Sequence, residues 1–193
     1  DEVYAGEAEN ANNAGEVSGN IANMKKGTVN KLYGGHTFGT GAVKDNTVNF
    51  SGGTATDYVA GAYVDNTANA AEITGNKVLF TGGTAVTVEG GAGKGAGALK
   101  NNTVTFSGAG STADTLRGAN SEGQGLVEEN SVTISGGTVA HAYGAVTDGT
   151  GEAKKNFVTV TDGAVNTEIA GGVGYKATAN SVTISGGTVS GDI

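Results

Sequence analysis

Apolar and polar residues alternate strictly in one nine-residue phrase, NSVTISGGT from Asn180, and that phrase or a degraded copy of it recurs along the chain. Copies begin at Asn20, Asn46, Asn76, Asn102, Asn130, Asn156 and Asn180, at intervals of 26, 30, 26, 28, 26 and 24 residues. Within them Val48 and Phe50, Val104 and Phe106, Val132 and Ile134, Val182 and Ile184 fall on one face, with polar residues between. Period two predicts a half-buried strand. The Ser-Gly-Gly-Thr that follows supplies a turn or bulge, because Gly accepts positive φ without steric cost.

Two further apolar columns share the repeat. Three residues before each Asn stand Val17, Val43, Ile73, Leu99, Val127, Ala153 and Ala177. Twelve to fourteen residues after it stand Leu32, Val59, Val88, Leu116, Ala142, Ile169 and Ile193, and all but the last precede a pair of small residues. Each unit therefore predicts two or three short strands joined by bends. Its roughly four inward apolar side chains contribute ~1.5–3 kcal/mol each, whereas ordering the backbone costs ~1–2 kcal/mol per residue. A single unit should not fold alone. The expected solution is an all-β, parallel β-helix (solenoid) of about seven coils of 24–30 residues, forming one domain over residues 1–193.

The repeated Asn fits the same stacking. At a bend just before an inward Val, Asn tolerates left-handed geometry and can hydrogen-bond the Asn of the adjacent coil. A structural ladder of Asn20, Asn46, Asn76, Asn102, Asn130, Asn156 and Asn180 is expected. Charges before the ladder set the register: Glu128 and Glu129 should lie beside Lys100 on one neighbouring coil and Lys154 and Lys155 on the other.

Composition sharpens this picture. Gly is 36 of 193 residues, and the formal net charge of −8 argues against nucleic acid and anionic membrane surfaces as partners, since both select Lys/Arg clusters. No apolar stretch approaches the ~20 residues of a membrane span, so no direct membrane insertion of this segment is expected. With no Cys there are no disulfides or thiolate metal sites. The chain opens part-way round a turn, at Glu2-Val3-Tyr4-Ala5-Gly6, and closes part-way round at Ile193. It reads as a segment of a longer array, with end-to-end stacking of copies as the other option.

Candidate chemistry is sparse. His36 and His141 lie coils apart, and Asp57, Asp114, Asp148 and Asp162 have different phases in the repeat. No constellation of Asp, Arg and Lys on adjacent coils of one face is legible, and no catalytic, metal or cofactor site is assigned. Gly-rich Glu89–Gly97 lacks the ending of a phosphate loop. Longer insertions at Asp57–Ala71, Gly90–Gly97, Gly118–Gly125 and Asp148–Gly151 suggest a binding edge on one side. A Thr-rich outward stripe (Thr47/Asn49, Thr103/Thr105, Ser131/Thr133, Ser181/Thr183) reads as ordinary exposed strand. Tyr4, Tyr33, Tyr58 and Tyr143 beside the second-strand apolar positions form the candidate contact surface, suited to sugar stacking or protein contacts.

The phrases NSVTISGGTV and NTVTFSG, each followed by a glycine-rich second strand, resemble the repeats in passenger regions of large bacterial autotransporter-type surface proteins and adhesins. That resemblance implies a right-handed parallel β-helix, export through the Gram-negative envelope to the cell surface or medium, and a role in adhesion or surface display. The resulting expectation is a non-enzymatic extracellular rod acting in adhesion, autoaggregation or display through many weak contacts. Its partners would be a host or bacterial surface glycan or protein, or further copies of itself. The alternatives are a self-assembling fibre segment and a polysaccharide-processing enzyme of the pectin-lyase-like type.

Overall fold

The structure, a computed structural model, describes residues 1–193 and contains only strands, turns and loops. Every strand pairing is parallel, and partners lie about one repeat apart in sequence, so the chain winds as a β-solenoid of about seven coils. Each coil carries a short strand, a middle strand and a long strand. In one coil these are Ile73–Thr74, Lys77–Phe80 and Thr84–Gly93, and in the next Leu99–Lys100, Thr103–Phe106 and Thr112–Ser121. In two later coils the middle and long strands run together, as Ser131–Thr147 and Phe157–Ala170. The short strands stack into a sheet of their own.

The apolar columns read from the sequence pair in register. Val48, Val78, Val104, Val132 and Val158 align, as do Leu32, Val59, Val88, Leu116, Ala142 and Ile169, and together they fill the larger core. Phe50, Phe80 and Phe106 stack within it, with ring centroids 4.5 and 5.1 Å apart. A smaller core holds the third column, including Val43, Ile73, Leu99 and Val127. Cover thins at the end coils, where Val3 at one end and Ile184 and Ile193 at the other are exposed.

Between the two cores runs the asparagine ladder. Asn20 Nδ2 donates to Asn46 Oδ1 at 2.8 Å, and the same bond links Asn46, Asn76, Asn102, Asn130, Asn156 and Asn180 in turn at 2.9–3.0 Å. Each accepting Oδ1 also takes the backbone N–H of the donor Asn, as from Asn76 at 3.1 Å. The second amide hydrogen reaches a short-strand carbonyl, such as Ile73 O from Asn102 at 2.9 Å. Every amide in the ladder interior is thus satisfied, which is what allows five of them to be fully buried. The left-handed residue is not the Asn, however. It is the residue before it, at Gly19, Asp45, Gly75, Asn101, Glu129, Lys155 and Ala179, with φ between 51° and 70°. The ladder bonds of the Asn hold its neighbour in this costly geometry.

The long strand is kinked against the ladder. Gly34 and Gly35 are consecutive yet both face inward: a Cβ on Gly34 would sit 3.2 Å from Asn46 Cβ, and one on Gly35 would crowd the Asn46 amide. Two successive inward residues break the period-two alternation, so the strand must bend there. Gly61 holds the same place in the next coil, where a Cβ would approach Gly90 O to 2.5 Å. Much of what the sequence suggests as inserted loop, such as Asp57–Val64 and Gly118–Ser121, therefore belongs to a bent strand. The true loops begin after it, at 65–72 and 122–126.

Candidate functional site

Bending the long strand inward makes its outer side concave, and a groove results. The residues on either side of each bend point into it: Tyr4 and Glu7, Tyr33 and His36, Ala60 and Tyr63, Glu89 and Ala92, Arg117 and Asn120, Tyr143 and Val146, aligned by strand register. Tyr33 and His36 are three positions apart, yet their ring centroids are 5.0 Å apart, which a straight strand does not permit. The groove accounts for outward residues that are nevertheless buried, including Tyr33, His36, Glu89 and Asn120.

Large side chains lie over small ones. Ala60 separates Tyr33 from Glu89 along one column, and Ala92 separates Tyr63 from Asn120 along the other; both alanines are fully covered. Tyr33, Tyr58 and Tyr63 meet with centroids 5.7–5.8 Å apart in tilted and edge-on pairs. Tyr4 stacks on Tyr33 at 5.2 Å, and His36 on Tyr63 at 5.8 Å. Offset and edge contacts of this kind are favoured by the ring quadrupole.

Beyond the aromatic cluster sits a charged one. Glu89 is completely buried, takes 2.6 Å contact from the Arg117 guanidinium on the adjacent coil and accepts the Tyr58 hydroxyl. Burial pushes the Glu89 carboxyl up, opposed by Arg117 and Tyr58. Burial is the largest single influence on Arg117 and works against its charge, but Glu89, Tyr58 and Asp148 together hold the guanidinium above its usual value. Desolvation raises the Tyr33 and Tyr58 hydroxyls, and pushes Tyr63 up to about 12. Arg117 Nε and Asn120 Oδ1 have no partner within the chain. His36, buried among aromatic rings, is held below its ordinary range by desolvation. Its Nδ1 lies 3.3 Å from Glu7 Oε1 without hydrogen-bond geometry.

The four tyrosines singled out in the sequence do not form one stripe. Tyr4, Tyr33 and Tyr143 share the column that follows the apolar position, but Ala60, Glu89 and Arg117 intervene before Tyr143. Tyr143 stacks loosely on His141 at 6.3 Å and donates to Glu168 at 2.6 Å. Tyr58 belongs to the preceding column, with Lys31 and Thr87. A constellation of acid and base on adjacent coils, not legible as motifs, does exist as Glu89 and Arg117. It could be found by aligning the residue after each apolar second-strand position: Tyr33, Ala60, Glu89, Arg117, Tyr143.

The four aspartates do not converge. Asp57 stands on the groove rim, Asp114 lies 4.0 Å from His141 Nδ1, Asp148 follows a long strand and Asp162 caps a turn. No group of three or more His, Asp or Glu side chains is arranged as a metal site. Of the register charges, Glu128 pairs with Lys154 at 3.2 Å and Lys155 at 3.8 Å, and Glu129 with Lys155 at 3.6 Å. Lys100 aligns with Glu128 as expected, but its ion pair goes to Glu72 at 3.5 Å. Comparison with protein-family models, with curated proteins and with solved structures returns no match.

Proposed function

We propose that this chain is a non-enzymatic, surface-displayed bacterial rod that acts in adhesion or display through contacts spread along its groove. The observation that carries the reading is the groove itself: an open, aromatic and charged trough shared by successive coils. Half-buried tyrosines offer ring faces and hydroxyls to sugars or protein surfaces, and contacts repeated along a rod add by avidity. The repeat resemblance to autotransporter-type passengers supports a location on the Gram-negative surface or in the surrounding medium. Beads coated with the chain should bind cells, or spots on glycan and protein arrays, and groove variants should lose that binding. Failure to bind any cell or array component would sink the adhesive reading.

A polysaccharide-processing activity is the second reading, favoured by the Glu89–Arg117 pair on neighbouring coils. Its weakness is chemical. Glu89 has no exposed surface, and each of its oxygens is already held, by Tyr58 and by Arg117, so the carboxylate is not presented to a substrate. Turnover of any member of a polysaccharide panel would promote this reading over adhesion. Long fibres growing with concentration in electron micrographs would instead favour a self-assembling segment.

A further inference from the structure

The groove has a focal point. Lys31, Tyr33, Asp57, Tyr58, Tyr63 and Glu122 enclose an open depression of about 220 Å³. Tyr33 forms its floor and the half-buried Tyr58 and Tyr63 its walls. Asp57 reaches the rim because the long strand Thr54–Val64 has an extra residue relative to both neighbours, placing a bulge just before Tyr58. Glu122 enters from the opposite side, two coils on, where it accepts only the Tyr63 hydroxyl, at 3.4 Å.

The charges here are not balanced. Each cation of the region already has a carboxylate: Lys31 has Glu2 at 2.9 Å, Lys94 has Asp65, and Arg117 has Glu89 at 2.6 Å. Asp57 has no ion-pair partner, and Glu122 has only a long hydrogen bond. Lys31 also lines the depression and Lys94 Nζ lies 5.8 Å from the Tyr63 ring centroid, but both are held, by Glu2 and by Asp65; the groups left unpaired toward solvent are Asp57 and Glu122, beside the aromatic walls. Such a surface attracts a positive group twice over, through the carboxylates and through the ring faces. It repels sugar acids and phosphates.

Building on the groove as the contact surface proposed above, we infer that this depression binds a protonated amino sugar within a linear glycan. The apolar face of the sugar ring lies against Tyr58 and Tyr63, and the ammonium group sits between Asp57 and Glu122. The depression has room for a single ring, and neighbouring rings of the chain continue along the groove toward Tyr4 and Tyr143. A groove that runs past successive coils suits a linear polymer better than a single lysine side chain of a protein partner.

The chain has no Trp, and Tyr4, Tyr33, Tyr58, Tyr63 and Tyr143 are five of its 6 tyrosines, so intrinsic tyrosine emission reports on the groove. Titration with glucosamine oligomers at about pH 6, below the ordinary range of an amine, should change that emission and release heat in calorimetry. N-acetylated oligomers and neutral glucose oligomers should bind at least tenfold more weakly, since neither places a charge between the two carboxylates. Asp57→Asn and Glu122→Gln should each weaken glucosamine binding by roughly tenfold. Asp162→Asn, remote from the groove, should leave it unchanged, and circular dichroism of each variant checks the fold. Equal binding of acetylated and free oligomers would overturn the inference while leaving an adhesive groove intact. So would preference for a lysine-rich peptide over every glycan, or cell binding that survives both variants. Loss of cell binding in the two variants together with glucosamine selectivity would establish it.

Discussion

Two columns of the same solenoid, about half a repeat apart in sequence, behave oppositely. The inward column is Asn at every one of seven coils, and each interior amide makes the same bonds to the coil on either side. The outward column across the bend reads Tyr4, Tyr33, Ala60, Glu89, Arg117, Tyr143, and no two neighbouring coils beyond the first pair match. Identity suits a stack in which each side chain must be both donor and acceptor to its own copy. A fixed pitch of about 4.8 Å rewards it. Variation suits a surface whose partners are unlike one another, and there the large, charged and aromatic side chains collect.

The sharpest test of this contrast is Asn102→Ala in the ladder interior. It removes two donated and two accepted hydrogen bonds, takes the side-chain acceptor from the Asn76 backbone N–H and amide, and strips one donor each from Asn130 Oδ1 and Ile73 O in a buried setting. A loss of roughly 4 kcal/mol in urea unfolding is expected. The same change at the half-buried Asn20, which bonds one neighbouring ladder residue, should cost about 1 kcal/mol. Equal effects would mean that position in the stack does not matter.

In the outward column, Arg117→Gln removes the cation that faces Glu89 and leaves the buried carboxylate without its ion-pair partner. About 2 kcal/mol should be lost, the usual scale for a hydrogen bond between charged groups, and a Tyr58→Phe background should reduce the penalty if the three act as one network. An additive double mutant would separate Tyr58 from the pair.

His36 gives the column a pH dependence. Burial among Tyr4, Tyr33, Tyr63 and Phe38 holds the imidazole below its ordinary value of 6.5, with Glu7 and the more distant Glu2 and Asp65 opposing the shift. A depressed folded value means that the unfolded chain takes up the proton first, so this contribution is full above about pH 6.5 and falls as the pH is lowered through the folded value. Glu89, with a raised folded value, contributes with the opposite sign: its penalty is relieved as it protonates in acid. The difference in stability between the native chain and His36→Gln, measured from pH 7.5 to about 4.5, isolates the histidine. A pH-independent difference would show that burial does not disfavour its charge.

The smallest effect is expected at Tyr143→Phe, which deletes one hydrogen bond to Glu168 at a half-buried site. Its change in unfolding free energy should stay within about 0.5 kcal/mol. A larger value would join Tyr143 to the same cooperative network as Tyr33 and Glu89, despite the residues that separate them.

Periodicity by itself determined the solenoid, its coil count, three apolar columns and the asparagine ladder, because all of these depend on identical residues meeting at a regular interval. A repeated phrase is its own register, and period two assigns the face of Val48, Phe50, Val104 and Phe106 without any distant contact. Which Asn-adjacent residue takes the left-handed turn was not decided in that way, since Asp45, Asn101, Glu129, Lys155 and Ala179 share no chemistry. Backbone geometry chose them. The groove also came only from tertiary structure: paired glycines such as Gly34 and Gly35 let the long strand fold inward onto the Asn amides, and that bend turns an exposed flank into a trough. Glu89 and Arg117 are 28 residues apart in sequence and carry no motif. Stacking one coil on the next is what makes them neighbours.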